Sequence, residues 1–311
     1  MNNWDLSIDI LMATYNGMPY IRTQILSLIS QTHTNWKLYI HDDGSTDGTQ
    51  EEIEKFTLLD KRIHYIKDNK RWKSAGKNFM SLLSASKNPY ICFCDQDDFW
   101  FENKLEIMLR EIMQINPHKP CACFFNAYTW FPSEGNRIGK KVFQHIPSHN
   151  LYDYLFTNGG MQGASAIFNA SMRDYINIEY NSLYMHDHIL TFAALIKQNL
   201  YFKDIPLMLY RQHNKNVTGH INQSIWQLLS FQKIYNKTPA LCQSYVEGTK
   251  EFYKLYKRDM NTLQQKQFDK FFTIIKGNKL NAIFHIIANK ATLRGSTFLL
   301  IAKLLTRPFI K

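Results

Sequence analysis

Apolar residues in the first half of the chain follow two alternating patterns. Short continuous apolar runs predict four buried strands, near residues 7–13, 36–41, 63–67 and 90–94. Apolar positions that recur every three or four residues predict four helices, over residues 20–30, 49–56, 75–84 and 103–114. This alternation of strand and helix predicts an α/β fold with a doubly wound, mainly parallel sheet.

The second half of the chain moves from strands to helices. The pattern continues with two strands, one helix and two strand segments, at 121–131, 163–168, 188–197, 200–202 and 207–210. Pro206 separates the last two segments. Beyond about Gly219, helical periodicity dominates 223–275 and 279–308. We therefore expect an α/β domain over residues 1–220 and a helical C-terminal region over 221–311.

Polar clusters follow three of the predicted strands. They begin at Thr14, Asp42 and Asp95 and contain Tyr15-Asn16-Gly17, Asp43-Gly44-Ser45 and Gln96-Asp97-Asp98. Thr49 and Glu52 have the spacing of a capping box for the helix after the second cluster. Because ligands of open α/β sheets bind at the carboxyl ends of strands, we expect the three clusters to form one site.

The third cluster places three carboxylates within four residues. Asp95, Asp97 and Asp98 would repel one another at a buried strand end unless a cation lay among them. Hard divalent cations prefer carboxylate oxygens. A solvated acidic turn is the alternative for this cluster alone, but the two other polar strand ends favour a site.

Charge and cysteine content narrow the function classes. The chain has a formal charge of +11, and eight basic residues with no acid follow Asp269, which leaves only +3 for residues 1–269. A general nucleic-acid footprint is therefore not implied. The five cysteines include two Cys-x-Cys pairs in apolar runs, which favours buried thiols over a zinc site. Met1–Asp5 lacks the pattern of a signal peptide, so we expect a cytoplasmic protein.

Residues 5 to about 220 resemble a family 2 glycosyltransferase with the nucleotide-diphospho-sugar transferase fold called GT-A. The matching pieces are Ala13-Thr14-Tyr15-Asn16-Gly17, Ser30-Gln31-Thr32, Asp42-Asp43-Gly44-Ser45-Thr46-Asp47, Asp95-Gln96-Asp97-Asp98 with Trp100 and Lys104, His186-Asp187, and Tyr210-Arg211-Gln212-His213. The third-cluster sequence and the last piece look most like the bacterial branch often labelled rhamnosyltransferases, which acts in surface polysaccharide synthesis.

The resemblance implies a metal and diphosphate site. Asp97 would bind Mn²⁺ or Mg²⁺, Asp95 would contact the metal or the ribose, and Asp98 is a further contributor. His213 matches a histidine that serves as a metal or diphosphate ligand, although a hydrogen-bonded surface histidine is an equal alternative. Arg211 would face phosphate.

The resemblance also implies a pyrimidine site. Asp43 would accept a hydrogen bond from the pyrimidine N3–H, and Thr14, Tyr15 and Asn16 would bracket the base. Uracil and thymine both present that donor whereas cytosine does not, which predicts a UDP- or dTDP-sugar. For Asn16-Gly17, a simple turn is the alternative.

Asp187 matches the position of the family's general base, which takes the proton of the acceptor hydroxyl. Its alternative is an N-cap aspartate without a catalytic role. His186 and His188 flank it, and we expect them to tune it or to bind acceptor. The glycine-rich segment 158–165 is either a wall of the acceptor or donor-sugar site or a flexible loop.

Residues 280–311 combine aliphatic clusters with lysines and arginines. The longest uncharged stretch, 295–302, is too short to span a bilayer. Basic amphipathic helices often lie on anionic membranes, so we expect peripheral binding at the inner face of the cell membrane. A helix packed on the rest of the protein is the alternative.

Together these features predict an inverting, metal-dependent transferase. It would move a sugar from a UDP- or dTDP-sugar, dTDP-rhamnose among them, to a lipid-linked glycan in O-antigen, capsule or lipooligosaccharide synthesis. A galactose, glucose or N-acetylhexosamine transferase of the same fold is the alternative. A sugar nucleotidyltransferase is disfavoured because Thr14–Pro19 lacks that class's basic glycine-rich loop. A non-catalytic sugar-nucleotide-binding subunit would tolerate loss of Asp97 or Asp187, and both are present.

Overall fold

The computed structural model describes residues 6–115, 117–213, 239–293 and 295–310 of the 311-residue chain. The strands are β1 Ile8–Thr14, β2 Trp36–Asp42, β3 Ile63–Tyr65, β4 Tyr90–Cys94, β5 Phe99–Trp100, β6 Ala122–Phe131, β7 Arg137–Lys141, β8 Ala166–Asn169 and β9 Leu200–Arg211. The helices are α1 Ile21–Ile29, α2 Thr49–Leu59, α3 Ala75–Leu82, α4 Lys104–Ile112, α5 Leu151–Leu155, α6 Ala170–Ile176, α7 His186–Ile196, α8 Gln243–Tyr256, α9 Thr262–Ile274, α10 Lys279–Ala288 and α11 Thr297–Thr306. The predicted domain boundary at 220 and the helical pattern over 223–238 lie outside the described residues.

The strands form one sheet in the order β3-β2-β1-β4-β8-β6-β9-β5, with β7 paired to β6. The first four strands of this order are parallel, as predicted. The predicted α/β class is confirmed, but the other part of the sheet is mixed, because β8 runs antiparallel to both β4 and β6 and β5 runs antiparallel to β9. In the described residues four pairings are parallel and four antiparallel, so the sheet is mixed.

The register of the parallel strands aligns their carboxyl ends. Thr14 at the end of β1 pairs with Asp42 at the end of β2, and Met12 pairs with Cys94 at the end of β4. The three polar clusters therefore leave the sheet at one edge, as the sequence predicts.

The predicted capping box at Thr49 is wrong. Gly48 is the N-cap of α2 with φ 92°, and no side chain caps the helix. The Thr49 hydroxyl instead donates to Asp47 Oδ1 at 2.5 Å and accepts from the Gly17 amide at 2.8 Å. Glu52 pairs with Arg22 at 2.7 Å. Both side chains are used for contacts with the β1 loop and α1 rather than for the helix end.

Pro206 lies inside a strand rather than between two strands. The predicted segments 200–202 and 207–210 belong to one strand, β9, whose register with β6 shifts where Asn126 pairs with Pro206. An irregularity of this kind accommodates a residue that cannot donate to the ladder.

The cysteines behave as apolar core residues. Cys92, Cys94, Cys121 and Cys123 are at most 1% exposed, and all five cysteines are free thiols. Burial raises the pKa of the Cys92 thiol to about 12. The prediction of buried thiols is therefore confirmed for both Cys-x-Cys pairs.

The C-terminal helices share a core with the α/β part of the chain. Phe252 of α8 lies 5.4 Å from Phe192 of α7, and Phe271 of α9 lies 5.2 Å from Phe156, measured between ring centroids. Backbone bonds from Ala240 to Pro308 and from Leu241 to Phe309, at 2.7 and 2.9 Å, attach the end of the chain to the start of this region. No helix in the described ranges has both the length and the apolar character needed to cross a membrane.

Gly248 of α8 marks a close approach between the two parts. A Cβ there would lie 2.9 Å from the Tyr184 amide nitrogen and 3.0 Å from Tyr184 Cβ. Alanine is ordinarily the better helix former by about 1 kcal/mol. We nevertheless expect Gly248→Ala to destabilise the protein by about 1–2 kcal/mol in urea unfolding, because the overpacking cost exceeds the propensity gain.

Gly277→Ala is the matched control, because a Cβ at Gly277 would meet its nearest atom at 3.4 Å. Its effect should lie within about 0.5 kcal/mol of zero. Equal stabilisation by both alanines would show that α8 is not tightly packed against Tyr184.

Candidate active site

The loop after β1 is tied to the loop after β2. Asn16 adopts φ 46°, its amide donates to Ser45 Oγ at 2.7 Å, and its side-chain Oδ1 accepts from the Thr46 amide at 2.9 Å. The Thr14 hydroxyl donates to Asp42 Oδ2 at 2.7 Å and is buried. The side chains of Thr14 and Asn16 are therefore engaged in fixing the loop, which leaves Tyr15 as its outward-facing side chain.

Gln96 connects this loop to the acidic cluster. Its side-chain amide accepts from the Tyr15 amide and donates to the Tyr15 carbonyl, both at 3.0 Å. A Cβ on Gly17 would lie 2.5 Å from Gln96 Oε1, so a larger residue there would displace the Gln96 side chain. The Tyr15 side chain remains 59% exposed at the mouth of the site.

Asp43 is held by a segment that the sequence analysis did not identify. Its carboxylate accepts a short hydrogen bond from the Trp72 amide, and its own amide donates to the Thr14 carbonyl at 2.9 Å. The Arg71 side chain packs on Gly44, where a Cβ would lie 2.6 Å from the guanidinium. Since Trp72 acts through its backbone, no side-chain pattern could have revealed its role.

The end of β9 brings two predicted residues to the acidic cluster. His213 Nε2 lies 2.6 Å from Asp97 Oδ2, and its ring stacks on Tyr20 with 4.9 Å between centroids. The Arg211 amide donates to Asp98 Oδ1 at 3.1 Å. These contacts join residues more than a hundred positions apart.

The Arg211 guanidinium lies between two aromatic rings. It is 4.7 Å from the Tyr20 centroid and 4.0 Å from the Trp130 centroid, and its Nε donates to the Asp97 carbonyl at 2.5 Å. Arg211 therefore fixes the backbone of the residue whose carboxylate meets His213.

Negative charge accumulates around this cluster. Burial, followed by the charges of Asp97 and Asp187, raises the pKa of Asp95 to about 7. Burial, followed by Asp97 and Asp95, raises the pKa of Asp98 well above its usual range. In the described part of the chain, Asp98 Oδ2 has no hydrogen-bond partner. An added cation would relieve these costs.

The oxygen and nitrogen donors of Asp95, Asp97 and His213 suit Mn²⁺ or Mg²⁺. No three His, Cys, Asp or Glu side chains converge on one point within the described residues. Such ions usually retain waters and use one or two carboxylates together with substrate phosphates. Asp97 and His213 supply an adjacent oxygen and nitrogen, and Asp95 lies in the same charged cluster. The substrate and water would complete the coordination.

Asp187 lies in the first turn of α7. Met185 is the N-cap, so the N-cap alternative for Asp187 is wrong. Asp187 Oδ1 accepts from the His188 amide at 2.7 Å, and burial raises the pKa of the carboxyl group to about 7. A group with this pKa can accept a proton near neutral pH.

The glycine-rich segment 158–165 packs on the backbone of this turn. A Cβ on Gly160 would lie 2.4 Å from the Asp187 carbonyl oxygen, and a Cβ on Gly163 would lie 3.3 Å from Asp187 Cβ. The segment therefore packs against the turn that bears Asp187, and its role as a wall of the acceptor or donor-sugar site stays a prediction.

The two histidines beside Asp187 face the core, so their predicted contact with acceptor is wrong. His186 is 3% exposed and packs on Phe79, with 3.9 Å between ring centroids. His188 is fully buried, and its Nε2 lies 3.2 Å from Thr249 Oγ1 of α8. Burial lowers the pKa of both rings to about 3, which keeps them neutral.

A family model described as Glycosyl transferase family 2 matches residues 9–162. The dTDP-rhamnosyl transferase RfbG of Shigella flexneri is 30% identical over 220 residues, covering 67% of this chain and 73% of that protein. The putative teichuronic acid biosynthesis glycosyltransferase TuaG of Bacillus subtilis is 31% identical over 160 residues, covering 51% of this chain and 60% of that protein.

Solved structures confirm the predicted fold class. TarS 1-349 of S. aureus, solved with UDP-GlcNAc, is 14% identical with a TM-score of 0.57, covering 96% of this chain and 91% of that chain. The mannosyltransferase PcManGT of Pyrobaculum calidifontis, solved with GDP-Man and Mn²⁺, is 11% identical with a TM-score of 0.58, covering 96% and 85%. At these identities the likeness shows the fold alone.

The raised pKa of Asp187 predicts a pH-dependent stability effect. The unfolded carboxyl group loses its proton near pH 4, whereas the folded one holds it to about pH 7. The contribution of this group to the free energy of unfolding therefore falls between these pH values and stays low above them. Asp187→Asn, which mimics the neutral form, should stabilise the metal-free protein by at least about 1 kcal/mol at pH 8 and by little at pH 4.5.

Urea unfolding of both proteins at the two pH values checks this. Asp174→Asn removes an exposed carboxylate and should show no comparable gain. If Asp187→Asn had the same effect at both pH values, the carboxyl group would not be desolvated.

Proposed function

The chain belongs to glycosyl transferase family 2, and on that basis we propose an inverting, metal-dependent enzyme that transfers sugar from a UDP- or dTDP-sugar to a glycan. The acceptor belongs to the synthesis of a bacterial surface polysaccharide and is lipid-linked. The observation that carries this proposal is the meeting of Asp97, His213 and the buried carboxylates at one sheet edge.

The donor is proposed from the first two loops. Asp43 accepts the pyrimidine N3–H, and the Thr14–Asn16 loop brackets the base, with Tyr15 exposed for stacking. dTDP-rhamnose is the first candidate sugar nucleotide, since the RfbG relative is named for that transfer. The UDP-GlcNAc bound by TarS supports UDP-sugars as the alternative.

The diphosphate site is proposed at Asp97 and His213, with Asp95 as the third contributor. Mn²⁺ or Mg²⁺ held there would neutralise the charge that develops on the leaving diphosphate. Arg211 holds the Asp97 backbone in place. Its contact with phosphate stays a prediction.

Asp187 is the proposed general base. Its carboxylate takes the proton of the acceptor hydroxyl, whose oxygen attacks the anomeric carbon. The bond from that carbon to the diphosphate oxygen breaks, and the electron pair leaves with the diphosphate. Attack from the face opposite the leaving group inverts the configuration. A pKa of about 7 suits a base that works near neutral pH.

We expect Asp187→Asn to lower kcat by about 10²-fold or more without changing the donor dissociation constant, since the base acts on the acceptor.

Asp97→Asn should lose Mn²⁺-dependent turnover. Wild-type kcat should fall as the pH drops below about 7, because Asp187 then gains its proton. Nucleoside diphosphate release from dTDP- and UDP-sugars measures turnover, and calorimetry measures donor binding.

The matched control is the exposed Asp174→Asn, which should behave as wild type. Full activity in EDTA would refute the metal mechanism. Near wild-type turnover of Asp187→Asn would refute the proposed base.

We also propose that helices α10 and α11 bind an anionic lipid surface. Leu280, Phe284 and Ile287 follow one face of α10 and are 76%, 67% and 58% exposed, while Phe298 of α11 is 71% exposed. We call these four side chains the apolar stripe. Lys276 and Lys290 are exposed at either end of α10, and no acidic residue follows Asp269 in the sequence. Aliphatic and aromatic side chains with flanking lysines suit an anionic membrane interface.

The expectation that the basic residues of this region bind the membrane is wrong in part, because some of them lie on the inward face of the same helices. Lys303 Nζ donates to the Phe156 carbonyl at 3.0 Å, and Arg307 is only 8% exposed. Leu300 and Leu304 are fully buried. Two of the basic residues counted for membrane binding are thus structural, and the predicted alternative of a packed helix holds for this face.

A double substitution therefore tests membrane binding better than truncation, which would remove core residues. Phe284→Ser with Phe298→Ser should weaken binding to vesicles of phosphatidylglycerol and phosphatidylcholine by more than about tenfold, since each inserted side chain contributes about 1.5–3 kcal/mol. Co-sedimentation at low and high salt measures the effect.

Leu58→Ser with Leu59→Ser is the matched control, because these leucines of α2 are 88% and 77% exposed but lie outside the stripe. It should bind vesicles as wild type does. If the wild-type protein ignored anionic vesicles at low salt, the lipid surface would be refuted.

A further inference from the structure

Lys104 is a fully buried lysine at the first position of α4. Its Nζ donates to the Ala164 carbonyl at 2.7 Å and to Met208 Sδ at 3.0 Å. The same atom lies 3.7 Å from the Trp100 ring centroid. A buried ammonium is costly unless its surroundings compensate it, so the three contacts act as a set.

Each contact belongs to a segment that carries part of the active site. Trp100 lies in β5, two residues after the acidic cluster. Ala164 adjoins Gly163, which packs on Asp187 and on His186. Met208 lies in β9, which ends at Arg211, two residues before His213. The Lys104 ammonium is therefore a common contact of three segments: the one that follows the acidic cluster, the one that packs on Asp187, and the strand that leads to His213.

The positive charge of Lys104 interacts favourably with the negative charges of the acidic cluster. Its positive charge acts on Asp95 and Asp98, where it opposes the rise in pKa that burial causes. Cys92 and Cys94 of β4 are its other titratable neighbours. These electrostatics support the geometry, which stands on the three contacts.

We propose that Lys104 is a positioning residue of the transfer reaction, which holds the strand that leads to His213 and the segment that packs on Asp187 in register with the acidic cluster. This inference rests on the proposed function. Lys104 does not touch substrate. It acts through Met208 on the position of His213 relative to Asp97, and through Ala164 on the turn that supports Asp187.

Lys104→Met tests this, because methionine retains apolar contact with Trp100 but lacks the charge and the donors. The expected result is a folded protein whose Mn²⁺ dissociation constant with UDP present rises at least tenfold and whose kcat falls at least tenfold. Electron paramagnetic resonance of free Mn²⁺ measures Mn²⁺ binding. Circular dichroism and thermal unfolding measure folding, and nucleoside diphosphate release measures turnover.

Lys279→Met is the matched control. Lys279 is also the first residue of a helix, α10, and its Nζ also donates to a backbone carbonyl, that of Leu305 at 2.6 Å. This variant should bind Mn²⁺ and turn over as wild type does. Lys104→Arg keeps the charge with a different donor geometry, and we expect an intermediate loss.

A Lys104→Met protein that is less stable but has unchanged Mn²⁺ affinity and kcat would overturn the inference, because the lysine would then only support the fold. If that variant does not fold, wild-type Mn²⁺ affinity and kcat in Lys104→Arg overturn it instead. A wild-type protein that neither binds Mn²⁺ nor transfers sugar would refute the proposed function itself, which distinguishes the two failures.

Discussion

Three carboxylates follow β4 at the carboxyl edge of the sheet and a fourth, Asp187, acts on Asp95; the cost of holding these charges away from water is the constraint around which the rest of the site is arranged. Burial and neighbouring charge raise the pKa of Asp95, and burial alone raises that of Asp187, each to about 7. His213 pairs with Asp97, and Arg211 secures the backbone between them. Such charge is unfavourable in an isolated protein, which supports the proposal that a substrate and a cation bind here.

The parallel half of the fold was predictable because its strands are covered on both faces. Strands of that kind appear in the sequence as continuous apolar runs, and the predicted bounds of β1, β2 and β4 agree with the structure within one residue. The antiparallel half was not predictable in the same way. The strand predicted at 163–168 overlaps β8, whereas β5, with two residues, was not predicted, and the direction in which each strand pairs is set by distant strands.

The residues of the candidate site likewise divide into those that sequence motifs identified and those that the sequence could not predict. Motifs identified Asp43, Asp97, Asp187 and His213, because their side chains are typical of the chemistry. The orientation of His186 and His188 could not be predicted, since α7 is apolar on nearly every face and is buried all round. Trp72 contributes a backbone amide, which leaves no local signal. The motif after β4 includes Lys104, but its contacts with Ala164 and Met208 lie far away in sequence and were not predictable from it.

The contact between α8 and the segment before Asp187 has a consequence for engineering this family. Gly248 lies against Tyr184, and Thr249 meets His188, so the helix that follows the described α/β part also supports the turn that bears Asp187. A chimera that joined the part of this protein before α7 to the later part of a relative would have to transfer α7 and α8 together. A crossover placed between them would separate surfaces that fit without room for one additional methyl group.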